Sequence, residues 1–238
     1  MIKNISEFKV ASIQATIFTP GLSFIQSKIL GSVLAKWGEL FDASPISMPV
    51  PNEAPSEIPR IILQSSDKTL KLELASARAN LFWFRQSEED IKDVQGFLAF
   101  STALLCEYVG IVGGRVGRLA AVLIRFFEKE NPGLFLAQHF CKESLQEAPF
   151  DRPESFELHA RKRYLLAEKF NINSWVRCKS GFVTKPTRKS AVLIEQDINT
   201  LAEETDIKEF DSDQISDFYS LVPDEFDAIL SLYFPQEA

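Results

Sequence analysis

Histidine, cysteine and methionine are scarce in this chain, at 2, 3 and 2 of 238 residues. The cysteines, Cys106, Cys141 and Cys178, are widely spaced and odd in number. That argues against a secreted disulfide framework and reads as free thiols in a reducing compartment. Cys141 follows His139 by two residues, a spacing that fits a metal pair, but no CxxC or HxxxH supplies the remaining ligands of a structural zinc site. The plainer reading is a histidine near a free thiol. Missing too are GxSxG, HExxH and the GxxxxGK[ST] phosphate loop. The segment GIVGGR (110–115) has three glycines, but it lacks GxGxxG spacing and precedes a strand pattern, whereas a phosphate cradle precedes a helix. It reads as a joint. These absences lead us to expect no catalytic activity and no cofactor.

No apolar run reaches the roughly 20 residues that span a bilayer. Residues 94–112 come nearest, interrupted by Gln95, Ser101, Thr102 and Glu107. The opening MIKNISEFKV has neither an apolar core nor a cleavage site, so no signal peptide is expected. A cytoplasmic protein without membrane association follows as the expectation.

Present in quantity are hydrophobic residues, at 45%, and phenylalanine, at 20 residues against 4 Tyr and 3 Trp. Phe brings bulk without a polar group, so most of these rings should lie in a core. Partial alternation over 8–18 predicts a strand, ended by Pro20 and Gly21. Ser23 with Gln26 has the capping-box pattern, and Ile25, Ile29, Val33, Trp37 and Leu40 then recur at helical spacing over 22–42. Residues 44–59 carry five prolines and read as an extended connector crossing the surface, or as a proline-rich ligand for a partner groove. Strands are predicted over 60–65, 70–74 and 79–85. Ser87 with Asp90 then caps a helix whose apolar positions include Ile91, Val94, Leu98, Leu105 and Tyr108, with Gly110, Gly113 and Gly114 as its stop.

The second half repeats the order. RVGRLAAVLIRFF (115–127) reads as a strand, 132–146 as a helix opened by Pro132, and 154–168 and 170–178 as a hairpin. A strand follows over 189–198, and helical signals run over 212–234, with Pro223 opening a fresh helix. The fold class is therefore α+β, built from two β-α-β-β-β-α units over 1–112 and 113–238. The W-x-R triplets ending at Arg85 and Arg177 add a little support. Each unit forms an antiparallel sheet roofed by its own helices, and the first strands can pair to give a pseudo-twofold saddle.

The run IPRIILQSSDKTLKLELASARANLFW, the strand RVGRLAAVLIRFF and the late VLIEQDIN resemble a sporadically distributed prokaryotic protein family. The resemblance covers most of the chain. It implies a strand-and-helix start, an Arg-bearing middle strand and a late strand ending in Asp197. That family has no established activity, so no catalytic residue carries over. Its patchy distribution is that of genes in mobile-element or defence clusters, which associates this chain with such a system.

Charge is strongly segregated. The net charge is −7, yet residues 152–189 sum to +7 and residues 195–238 to −12. A net acid is not expected to coat nucleic acid with its whole surface. The basic stretch still offers an anion-binding hairpin: Arg161, Lys162, Arg163, Lys169, Trp175, Arg177, Lys179, Arg188 and Lys189, with phosphate contacts from the cations and stacking on Trp175 and Phe182. The competing reading is that acidic helices pack beside the hairpin and neutralise it. The acids over 195–227 lack the glycine of an EF-hand loop, and Asp211 and Asp213 suit a helix N-terminus. Three functions remain in order: a non-catalytic scaffold that docks another protein, a nucleic-acid-binding module using the hairpin, and a metal-dependent hydrolase using Asp197.

Overall fold

The computed structural model describes residues 5–49, 51, 53–90, 93–146, 150–184 and 187–235. The elements are β1 (Lys9–Phe18), α1 (Gln26–Trp37), β2 (Ile46–Ser47), β3 (Ile61–Gln64), β4 (Leu70–Leu74), β5 (Arg78–Phe84) and α2 (Val94–Val112). They continue with β6 (Arg118–Glu128), α3 (Pro132–Phe140), α4 (Glu143–Gln146), β7 (Glu157–Leu166), β8 (Phe170–Val183), β9 (Lys189–Thr200) and α5 (Ser212–Tyr233). The protein is mixed α+β, with one antiparallel sheet in the order β2-β3-β4-β5-β1-β6-β9-β8-β7. At its centre β1 pairs with β6, Ala15 opposite Ala121. Outward from that pair, each side runs through the fourth, third and second long strands of its own stretch.

Alternation sets the two faces of the sheet. Ile13, Ala15 and Ile17 of β1 point to the helices with Leu81 of β5, Leu119, Ala121 and Leu123 of β6, and Ile194 and Ile198 of β9, all fully buried. Each large aliphatic side chain so buried contributes about 2 kcal/mol. Helices α1, α2, α3 and α5 pack on this face, and one hydrophobic cluster draws on both 1–112 and 113–238. A polar bolt crosses it. Buried Arg125 donates to Gln196 (2.9 Å) and pairs with Asp227 of α5, while Gln196 donates to the Phe226 carbonyl at 2.7 Å. The Tyr219 hydroxyl donates to the Thr16 carbonyl at 2.8 Å, joining α5 to the central strand.

Several local expectations need correction. The Ser23–Gln26 capping box does not form. Helix α1 starts after Ile25 with no side-chain cap, because Gln26 Nε2 instead donates to Ser47 Oγ (2.5 Å) and the Arg60 carbonyl (3.0 Å), tying the helix to the connector. Asp90 does not cap α2. It accepts from the Gln86 and Ser87 amides (2.7 and 2.9 Å) and closes a turn, and α2 begins after Asp93. Ile91 lies outside the described residues. Gly110 sits inside α2, and Gly113, at φ +66°, ends it in the left-handed conformation that glycine adopts without penalty. The proline-rich connector contributes β2, paired to β3 through Ile46 and Ile62. The 132–146 helix divides into α3 and α4. The hairpin turns through Ala167 and Glu168, both at positive φ, and β8 runs on to Val183. Pro223 opens no new helix, because α5 passes through it. Asp211 does cap α5, in a full capping box with Gln214.

Helix α2 is long and apolar enough to cross a membrane by length and composition. In the fold its Phe97, Leu98, Ser101, Leu104, Leu105 and Tyr108 are buried against the sheet and α5.

Candidate nucleic-acid interface

The helices leave the second face of the sheet uncovered among the described residues, and strand register assembles its side chains into rows. One row crosses seven strands: Lys71, Phe82, Gln14, Val122, Asp197, Trp175 and Arg161. Beside it runs Phe84, Ser12, Ile124, Glu195, Arg177 and His159, and on the other side Glu73, Asn80, Thr16, Ala120, Asn199, Asn173 and Arg163.

Cations lie over rings along this face. The guanidiniums of Arg161 and Arg177 stand 5.3 and 5.5 Å from the centroid of Trp175. Lys71 Nζ is 4.5 Å from Phe82, Arg118 is 4.6 Å from Phe18, and Arg188 is 4.1 Å from Phe182. Such contacts hold both partners in place while each keeps an edge or face for a ligand. The middle of the face is an amide network. Gln14 Nε2 donates to Thr16 Oγ1 (2.8 Å), Thr16 donates to Asn80 (2.9 Å), Arg118 donates to Asn199 (2.6 Å) and Asn199 donates to Asp197 (2.9 Å). Burial holds the Asp197 carboxyl above the usual carboxylate range, an effect that its hydrogen bond from Asn199 and the nearby Arg177 and Arg118 only partly oppose. Burial likewise lowers Arg118.

The nine predicted hairpin residues divide. Arg161, Arg177 and Lys179 sit on the open face, and Arg177 forms an ion pair with Glu195. Arg163 shares that face but reaches Glu203 at 2.7 Å, and Lys169 reaches Asp217 at 2.6 Å, so the acidic segment neutralises these two. Lys162 points to the helix side, with its Nζ 5.0 Å from the Tyr164 ring. Lys189 bridges Glu88 (2.9 Å) and Glu128 (3.1 Å), and the Glu88 hydrogen bond foremost raises its pKa. Among the described residues, Arg161, Lys179 and Arg188 have no carboxylate partner within 4.0 Å. Lys185 lies outside the described residues. Trp175 is on the face, whereas Phe182, opposite Ser190, has the alternate parity and sits at the end of β8 at 52% exposure, bordering cavities on both sides of the sheet.

Sequence reading missed the other half of the surface: Lys71, Phe82, Phe84, Gln14, Asn80, Arg118 and Phe126. The available signal was parity. The polar or aromatic residues of β1, β5 and β6 occupy the positions between buried ones, which puts them on the same side as Trp175.

The metal reading finds no cluster. Among the described residues, no three of His, Cys, Asp and Glu converge to hold a metal ion. Asp197 has Asn199 and arginines for neighbours. His139 stacks on Phe234 (centroids 4.7 Å apart), and its Nε2 lies 2.7 Å from the Tyr233 carbonyl, so it belongs to an aromatic cluster under α5. The three thiols are free, and burial pushes Cys178 up to about 12.

Fold and surface together define a class: a helix-backed antiparallel sheet whose bare face interleaves cations, aromatic rings and carboxamides. No protein-family model matches the chain, and no curated protein matches it significantly.

Proposed function

We propose that the protein is a non-catalytic binding protein that holds a single-stranded nucleic acid across the open face of its sheet. The row from Lys71 to Arg161 carries this reading, with an aromatic ring and a cation toward each end and Gln14, Val122 and Asp197 between, flanked by the carboxamides Asn80, Asn199 and Asn173 of the neighbouring row. Bases stack on such rings irrespective of sequence, cations meet the phosphates, and amides serve the base edges. The net charge of −7 is no obstacle. Helix α5, which bears much of the acidity, packs on the opposite face, and two of the open-face acids, Glu73 and Glu195, are paired with Lys71 and Arg177. A single strand is favoured over a duplex, because among the described residues no helix projects from this face to enter a major groove.

A protein partner is the second reading, favoured by the exposed Ile25, Ile46 and Ile58 around the proline-rich edge. We also read the chain as a duplicated β-α-β-β-β-α unit forming a pseudo-twofold saddle. The mirrored strand order about β1 and β6 supports that reading. Fluorescence anisotropy with labelled single-stranded and duplex oligonucleotides, at low and high salt, tests the function. Salt-sensitive binding that prefers the single strand is expected, whereas absent or salt-indifferent binding overturns the proposal.

A further inference from the structure

A cavity of about 400 Å³ opens at one end of the uncovered face, beside the last residues of β8. This size lies within the roughly 300–1,000 Å³ range of ligand pockets. Phe84, Phe126 and Leu193 line it from three strands, Phe182 forms a wall, and Gln64 and Lys68 stand at the β3 side. Its described lining contains two cations, Lys68 and Arg85, and no carboxylate. Arg85 is fixed by donating to the carbonyls of Val10 (2.7 Å), Ser87 and Glu88 (both 3.0 Å), and its guanidinium lies 5.8 Å from the Phe126 ring. Arg188 holds Phe182 in the same way, leaving that ring half-exposed at the mouth.

We propose that this cavity receives one unstacked base of the bound strand. The inference rests on the open-face reading and adds to it a point of capture. A base needs a ring to stack on, and Phe182 and Phe84 offer two. It needs hydrogen-bonding groups at its edge, and the Gln64 carboxamide has no partner among the described residues. The phosphates on either side of an extruded base need cations: Lys68 lines the opening, and Arg188 lies against the Phe182 ring. A carboxylate would repel those phosphates, and the described lining has none. The cavity is continuous with Phe84 of the second row and with the Phe126–Leu193 pair next to it, so the strand reaches it without leaving the face.

The experiment uses the full chain and a single-stranded oligonucleotide carrying 2-aminopurine, whose fluorescence falls when the base stacks. Binding to the wild type is expected to quench it. Phe182→Ala is expected to weaken binding on the order of tenfold and to abolish the quenching, with Phe182→Trp restoring both. Phe182 is exposed, so an unchanged melting temperature identifies the loss as local. Unaltered affinity and quenching in Phe182→Ala, alongside weakened binding in Trp175→Ala, overturn the captured base and leave the open-face reading standing. No oligonucleotide binding by the wild type overturns both.

Discussion

Trp175 of β8 stands directly opposite Arg161 of β7, and the Arg177 guanidinium reaches the same indole from two residues along the strand. The ring is thus framed by two cations on an uncovered surface. Trp175→Ala is expected to cost about 1–3 kcal/mol of oligonucleotide affinity, as loss of one stacked base does. Its effect on stability should stay below about 1 kcal/mol, because the ring is only partly buried. Arg161→Ala should weaken binding and lower the slope of log affinity against log salt by about one. Anisotropy titrations over a salt series measure both, and an unchanged slope would count against a phosphate contact at Arg161.

Much of the fold could be read from residue order. Leu70, Leu72 and Leu74 alternating with Lys71 and Glu73 gave β4, and the spacing of Phe218, Phe226 and Ile229 gave the buried stripe of α5. Local capping was less legible. Gln26 and Asp90 have helix-start patterns, but Gln26 bonds to the distant Ser47 and Arg60 and Asp90 closes the local turn at Gln86 and Ser87. The site was half legible. Runs of basic residues marked the hairpin because they are contiguous in the chain, yet Lys162 alternates onto the helix side, and charge along an edge strand such as β7 also discourages pairing with other chains. The remaining half, from Lys71 to Asn199, exists only through the register of five other strands, which a sequence does not display.

Two aspartates should respond to pH in opposite senses. Burial raises the Asp197 carboxyl above its unfolded value, so ionisation favours the unfolded chain, and stability falls as pH rises through the window just above the ordinary aspartate pKa. Asp197→Asn should therefore exceed the wild type in stability at neutral pH, with the difference closing at acid pH. Asp90 is lowered, first by the Gln86 and Ser87 amides and then by the Ser87 hydroxyl. Its contribution is present above the ordinary value and disappears as pH falls through the folded one. Asp90→Ala should cost about 1 kcal/mol at neutral pH, a cost that vanishes once pH has fallen through the lowered pKa of the folded state. Urea denaturation across pH tests the pair, and parallel profiles for wild type and variants would refute the assignment.

The Arg125–Asp227 bolt predicts an asymmetry. The arginine side chain is 8% exposed and the aspartate 58%. Asp227→Ala leaves a buried guanidinium with Gln196 as its remaining partner and should cost about 1–3 kcal/mol, less than for a fully buried pair because water reaches the aspartate side. Arg125→Met fills the space with apolar volume and leaves a hydrated carboxylate, so it should be nearer neutral. Equal losses in chemical denaturation would mean that the pair is not the organising contact.

The central β1–β6 pairing predicts how the chain divides. A break between Val112 and Gly113 falls where α2 ends in a left-handed glycine, so it cuts no strand or helix. Fragments 1–112 and 113–238 made together should associate through β1 with β6 and α2 with α5. Made singly, each exposes a long central strand edge and should not persist as a soluble monomer. A fragment that folds alone as a stable monomer would refute the shared core.

Pro223 lies inside α5, where its ring nitrogen cannot donate to the Tyr219 carbonyl. Interior proline costs about 3 kcal/mol against alanine in an isolated helix. Here the burial of Phe218, Tyr219, Val222 and Phe226 outweighs that penalty and carries the helix through the break. Tyr219 also anchors α5 to the Thr16 carbonyl, so the turn that lacks one backbone bond is tied to the sheet. Pro223→Ala should supply the missing donor and raise stability by about 1–2 kcal/mol, less than the isolated-helix value because the packing of this helix already offsets part of the penalty. Thermal unfolding measures it. A destabilised Pro223→Ala would mean that the proline is required for α5 to meet the sheet, with Tyr219 losing its contact to the Thr16 carbonyl.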